Sequence, residues 1–116
     1  MTNKRRHKRV TIKSVGDILC IDDNRRFKAF VGGISRGGLE FYSPEMVKAN
    51  CRLKISLTFL DKDGTATVEN LTGQVRWSAP FQEAYIAGVQ FDVIVDKEAA
   101  PALDEYIENA EQYFVK

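Results

Sequence analysis

The sequence predicts a mostly β domain: six antiparallel strands forming a closed barrel, followed by a C-terminal α-helix. Three observations lead there. From Val10 to Val95, short runs rich in Val, Ile, Phe, Thr and Leu alternate with turn signals, which is the pattern of short strands joined by tight connections. After Asp96 the apolar spacing changes to the three-and-four recurrence of an amphipathic helix. With 116 residues, 44% of them hydrophobic, the chain can fill one core and not two.

The strands are expected near Val15–Ile21, Phe27–Ile34, Gly38–Tyr42, Arg52–Leu60, Ala66–Trp77 and Tyr85–Asp92. Six strands in so small a domain point to a closed barrel. Asp22-Asp23-Asn24 and Asp61-Lys62-Asp63-Gly64 carry the residues of hairpin turns. The second also resembles the opening of a calcium loop, but it lacks the later ligands and the closing Glu such a loop needs, so it reads as a turn. Ser43-Pro44-Glu45-Met46-Val47 suits one helical turn, with Ser43 as N-cap and Pro44 at the first helical position, closing one barrel end.

The helix is expected over about 97–114, with Leu103, Tyr106, Ile107, Ala110, Tyr113 and Phe114 forming its apolar stripe and Pro101 in its first turn. The stripe is expected to pack on the barrel; a partner protein or a second copy in a homodimer are the alternatives the pattern leaves open. The chain therefore divides into a basic arm, 1–9, expected to be mobile to about Lys8, and the barrel with its helix, 10–116.

Composition narrows the function classes. A formal net charge of +1, with no basic face interleaved with aromatics, argues against specific nucleic-acid binding. No apolar run approaches the ~20 residues that span a bilayer, and no signal-peptide region follows the basic start, so no membrane insertion is expected and the location expected is the cytoplasm. Cys20 and Cys51 lie in apolar runs and read as reduced core thiols. His7 is the lone histidine and has no nucleophile beside it; with two scattered cysteines the chain lacks both catalytic residues and the ligand pairs of a metal site. A binding protein is expected, not an enzyme.

Charge is placed unevenly. Lys4, Arg5, Arg6, Lys8 and Arg9 crowd the start, whereas Asp96, Glu98, Asp104, Glu105, Glu108 and Glu111 make the end acidic, so an anion site belongs near the N-terminus. Alone, Arg5-Arg6-His7-Lys8-Arg9 is an ordinary basic tail. The second segment of note is Gly32-Gly33-Ile34-Ser35-Arg36-Gly37-Gly38-Leu39-Glu40-Phe41, a strand, a glycine turn and a strand. Its glycines permit close backbone approach, and its amides and Ser35 hydroxyl can face a phosphate or ribose. Trp77, ending a strand, reads as core before it reads as a stacking surface.

Together these segments resemble the PilZ domain, whose signature is RxxxR, a gap of some 20 to 30 residues, then [D/N]xSxxG. Arg5 and Arg9 match the first part, Ser35 and Gly38 the second, and Gly73-Gln74-Val75-Arg76-Trp77 with Ala87-Gly88-Val89-Gln90-Phe91 look like the family's later strand pair. The resemblance implies a PilZ-like split barrel of six antiparallel strands with a C-terminal helix, and a ligand, cyclic di-GMP, in place of any cofactor. It implies that Arg5 and Arg9 grip the ligand from the arm while Ser35 and Gly38 hold it from the barrel, with Arg6 and Arg36 adding charge-assisted contacts. A guanidinium suits this work because its planar fork pairs with phosphate oxygens or with the guanine O6/N7 edge. The function implied is a receptor or adaptor whose arm orders on binding and signals to a downstream protein partner.

Position 33 departs from the signature. Gly33 stands where the family has Asp or Asn, so a guanine edge finds no acceptor there; leaving such donors unpaired costs about 1–3 kcal/mol. This departure motivates the alternative: a degenerate PilZ domain that binds no nucleotide and acts as a protein–protein interaction module.

Overall fold

A computed structural model describes residues 8–61 and 64–114. It runs β1 Val10–Cys20, β2 Arg25–Ser35, β3 Gly38–Ser43, β4 Arg52–Asp61, β5 Gly64–Phe81, β6 Ala84–Phe91 and α1 Pro101–Phe114. The strands pair antiparallel in the order β1-β2-β3-β6-β5-β4, and β4 returns to pair with β1, so the sheet closes into a barrel. All six expected strands are present.

β1 starts at Val10, five residues before the expected Val15. Its inward positions are Val10, Ile12, Ser14, Gly16, Ile18 and Cys20. Ser14 and Gly16 interrupt the large apolar pattern that marks a strand, which hides its first half. Ser14 is tolerated inside because its hydroxyl donates to the Val31 carbonyl at 3.1 Å. Both hairpins form: Cys20 pairs with Arg25 across a turn in which Asn24 takes φ 61°, and Asp61 pairs with Gly64.

Phe41, Phe59, Leu53, Ile55 and Leu57 fill the barrel, and Leu103 and Ile107 of α1 join the same core, all essentially without solvent exposure. The Tyr106 hydroxyl donates to the Thr11 carbonyl at 2.8 Å, and its ring meets Phe59 edge-on at 5.4 Å between centroids. Burial pushes the Tyr106 pKa up. The described part of the stripe thus packs on its own barrel; the side chains of Tyr113 and Phe114 lie outside the described ones.

Two expectations need correction. Ser43 still ends β3, and residues 44–47 form bends and irregular chain, with no helical turn. The Ser43 hydroxyl donates to the Glu45 carbonyl at 2.7 Å instead of accepting from a helical amide, although Val47 does enter the core. The helix begins at Pro101, not near 97: the Asp96 carboxylate accepts from the amides of Glu98 and Ala99 in a turn ahead of it.

Bulges interrupt the ladders between Thr11 and Ser14 in β1, between Val31 and Gly33 in β2, and between Val75 and Trp77 in β5. An extra residue re-aims the side chains beside it. These three lie close to Arg9, Gly33 and Trp77, the end of the barrel where the candidate site is found.

Candidate functional site

The β2–β3 hairpin organises the site. Ser35 pairs with Gly38 across a two-residue connection, and the Ser35 hydroxyl accepts from the Gly37 amide at 3.2 Å. The connection is anchored from outside, since the Gly37 carbonyl accepts from the Phe91 amide and the Arg36 carbonyl from the Val95 amide, each at 2.8 Å. Gly38 is required by space: a Cβ there would stand 2.0 Å from the Val89 carbonyl oxygen, backbone that cannot yield.

Beside this hairpin lies a cleft of about 410 Å³ lined by Arg9, Ser35, Gly38, Glu40, Arg76 and Trp77, with Gln90 at its wall. Three of the residues singled out in the sequence, Arg9, Ser35 and Gly38, therefore share one concavity. Arg5 and Arg6 lie outside the described residues. Arg36 does not line the cleft. Its guanidinium donates to the Val95 carbonyl at 3.2 Å, pairs with Asp104 of α1 and approaches Glu108 at 3.6 Å. In this structure Arg36 ties the hairpin to the helix, because Asp104 is nearly buried and needs a cation.

The cleft contains charge the sequence alone does not locate. Arg9 Nη1 lies 2.6 Å from Glu40 Oε2. Gly33 makes that crossing feasible, since a Cβ at position 33 would sit 3.2 Å from the Arg9 Cδ, within the stem of the arginine. Arg76 is exposed and has no carboxylate partner among the described residues. Two guanidinium groups and one carboxylate leave the lining net positive.

Trp77 is 42% exposed and not core. The bulge in β5 turns both Arg76 and Trp77 outward, and the indole rests on Gly88, where a Cβ would stand 2.3 Å from Nε1. A glycine facing a tryptophan across two strands is the sequence signal for this arrangement, legible only once the register is known. The lining thus combines fixed cations, a hydroxyl and an aromatic surface, which together suit an anion with a planar ring. Among the described residues, no three His, Cys, Asp or Glu side chains gather as a metal site, and no helix is long and apolar enough to cross a membrane.

Solved structures share this fold. The inhibitor of motility (MotI/DgrA) of Bacillus subtilis matches at TM-score 0.77 and 15% identity, over 99% of this chain and 55% of that one. The PilZ domain of YcgR from Escherichia coli, solved with cyclic di-GMP, matches at 0.66 and 13%, over 96% and 94%. The Klebsiella MrkH complex with cyclic di-GMP matches at 0.65 and 16%, over 97% of this chain and 57% of that one. The chain thus spans little more than half of two of these neighbours, and identities this low show fold alone. No curated protein matches the chain. The family model of the PilZ domain matches residues 3–109, nearly the whole chain, and the chain belongs to the PilZ domain family.

Proposed function

We propose that this domain is a receptor for cyclic di-GMP, binding it in the cleft between the β2–β3 hairpin and Trp77. The observation that carries the reading is the convergence of Arg9, Ser35 and Gly38, distant in sequence, on one net-positive cleft beside an exposed indole. Cyclic di-GMP is the ligand present in two of the structural neighbours and offers what such a lining recognises: two phosphates and two purine faces. Arg9 and Arg76 supply charge to the phosphates, Ser35 a hydroxyl, and Trp77 a face for a base.

Arg5 and Arg6 complete the clamp from the arm. Arg9 lines the cleft and β1 starts at Val10, so the arm enters the barrel at the cleft. The sequence leads one to expect ordering from about Lys4 to Val10; with Arg9 already paired to Glu40 and Val10 already in β1, the part that orders on binding is the stretch before Arg9, and the changed surface signals to a protein partner. This is binding without chemistry, in the cytoplasm.

Calorimetric titration with cyclic di-GMP at moderate salt tests the reading. Saturable binding that weakens with added salt is expected, as charged contacts require. Absence of heat at high micromolar ligand overturns it and leaves the protein-interaction module as the reading. Protection of residues 4–8 from amide exchange on ligand addition checks the ordering step.

A further inference from the structure

We infer that Glu40 is the acceptor for a guanine edge in this cleft, supplying from β3 the carboxylate that position 33 does not carry. The inference rests on the cyclic di-GMP reading. Gly33 and Glu40 are direct partners across the β2–β3 ladder, on the outward face where the bulge at Gly32 leaves them. Glu40 Oε1 lies 4.0 Å from the point where a side chain on residue 33 would begin. The two positions therefore address the same space, and in this chain the longer side chain on β3 fills it.

The carboxylate is held for the purpose. Oε2 is paired with Arg9 at 2.6 Å, and the Glu40 side chain is only 19% exposed. Glu40 lines the cleft, and with Oε2 turned to Arg9, Oε1 on the side of position 33 retains acceptor capacity for a ligand. A carboxylate in a phosphate site would be a liability if the ligand were phosphate alone, because like charges repel. Guanine resolves the conflict. Its Watson–Crick edge presents an N–H and an amino group side by side, two donors for the carboxylate lone pairs that Arg9 leaves open, whereas adenine presents an acceptor at the same ring position. Glu40 therefore steers the phosphates toward Arg9 and Arg76 and the base edge toward itself, and it selects guanine over adenine.

Gly33 then has a role of its own. Its missing side chain lets the Arg9 stem cross to Glu40, so the clamp arginine is already positioned before ligand arrives, and base recognition is transferred to the neighbouring strand.

The test is a calorimetric comparison of cyclic di-GMP and cyclic di-AMP on the full chain and its Glu40→Gln and Glu40→Ala variants, with thermal unfolding of each to confirm folding. The wild type is expected to prefer cyclic di-GMP. Either variant is expected to lose roughly 10- to 100-fold in affinity for it, the effect of leaving guanine donors unpaired, and to lose most of the preference over cyclic di-AMP. Adding Gly33→Asp to Glu40→Ala should recover part of both. A Glu40→Gln variant that binds cyclic di-GMP as tightly as the wild type, or more tightly, with its base preference intact would overturn the inference while leaving the receptor reading standing; Glu40 would then only compete with ligand for Arg9. A wild type that binds neither nucleotide overturns both.

Discussion

The barrel has a hollow at each end of β1, and they differ in what they do with charge. The far end, beyond Cys20, holds the larger one, about 620 Å³, lined by Asp22, Asp23, Arg25, Lys48 and Cys51. There two carboxylates face two cations, and Arg25 is spent on Asp23 at 3.3 Å, on Glu45 at 3.1 Å and on the Met46 carbonyl. In the cleft at the Arg9 end there are two guanidiniums and one carboxylate, which pairs with Arg9, and Arg76 has no carboxylate partner among the described residues. Volume alone would select the far hollow. What distinguishes a ligand site is a cation left uncompensated next to a surface that can receive a ring.

The ends also differ in what holds them together. Around the cleft, neighbours approach as closely as glycine allows, the Val89 backbone at Gly38 and the Trp77 indole at Gly88. The far end is built on side chains, with Val47 in the core and the thiols of Cys20 and Cys51 only 3.2 Å apart. The sharpest way to break this contrast is Gly38→Val, which would drive a side chain into the Val89 carbonyl. It is expected to lower stability by at least about 3 kcal/mol in urea unfolding. Arg36→Ala comes next, because it strands Asp104, of which 5% is exposed. A loss of about 2–3 kcal/mol is expected, with cyclic di-GMP affinity changed little once the protein is folded. At the far end, Val47→Ala should cost about 2 kcal/mol through the cavity it leaves, and calorimetry should show ligand affinity unchanged.

A smaller effect sharpens the same contrast through pH. Burial, helped by the neighbouring Cys20 thiol, pushes the Cys51 pKa up to about 12 from an ordinary 9.0. The unfolded chain therefore loses this proton first, and the stability it contributes, complete below pH 9, falls as pH rises toward 12. Unfolding midpoints across that range should decline less in Cys51→Ala. For the same reason, the folded wild type should react with iodoacetamide at neutral pH far more slowly than the unfolded chain. The smallest effect expected is from the exposed pair Arg52–Asp92, joined at 2.6 Å. Its hydrogen bonds hold the Asp92 carboxyl below the usual range. Its contribution is therefore present at neutral pH and lost as the medium is acidified through the lowered pKa, and Asp92→Asn should reduce that acid sensitivity only slightly.

The architecture was legible because it is periodic. Alternation with period two marked six strands, and the three-and-four spacing of Leu103, Tyr106 and Ile107 marked a helix that does pack inward. Where the pattern broke, the reading broke with it: Ser14 and Gly16 concealed the first half of β1, and a proline after a serine looked like a helix start where Ser43 only bends the chain. The site was half legible. Arg9, Ser35 and Gly38 stood out as residue types at a spacing, but Glu40, Arg76 and the exposure of Trp77 did not, because they depend on which residues face each other across strands and on bulges that shift that register. The place of Arg36 was hidden in the same way, since an acidic residue far along the chain pairs with it.

Titration of the wild type and Arg9→Ala with cyclic di-GMP bears most directly on the central claim, that this cleft is a receptor site. The wild type is expected to bind saturably and the variant to give no measurable heat, while both unfold cooperatively. Equal binding by the two proteins, or none by the wild type at high micromolar ligand, would contradict it.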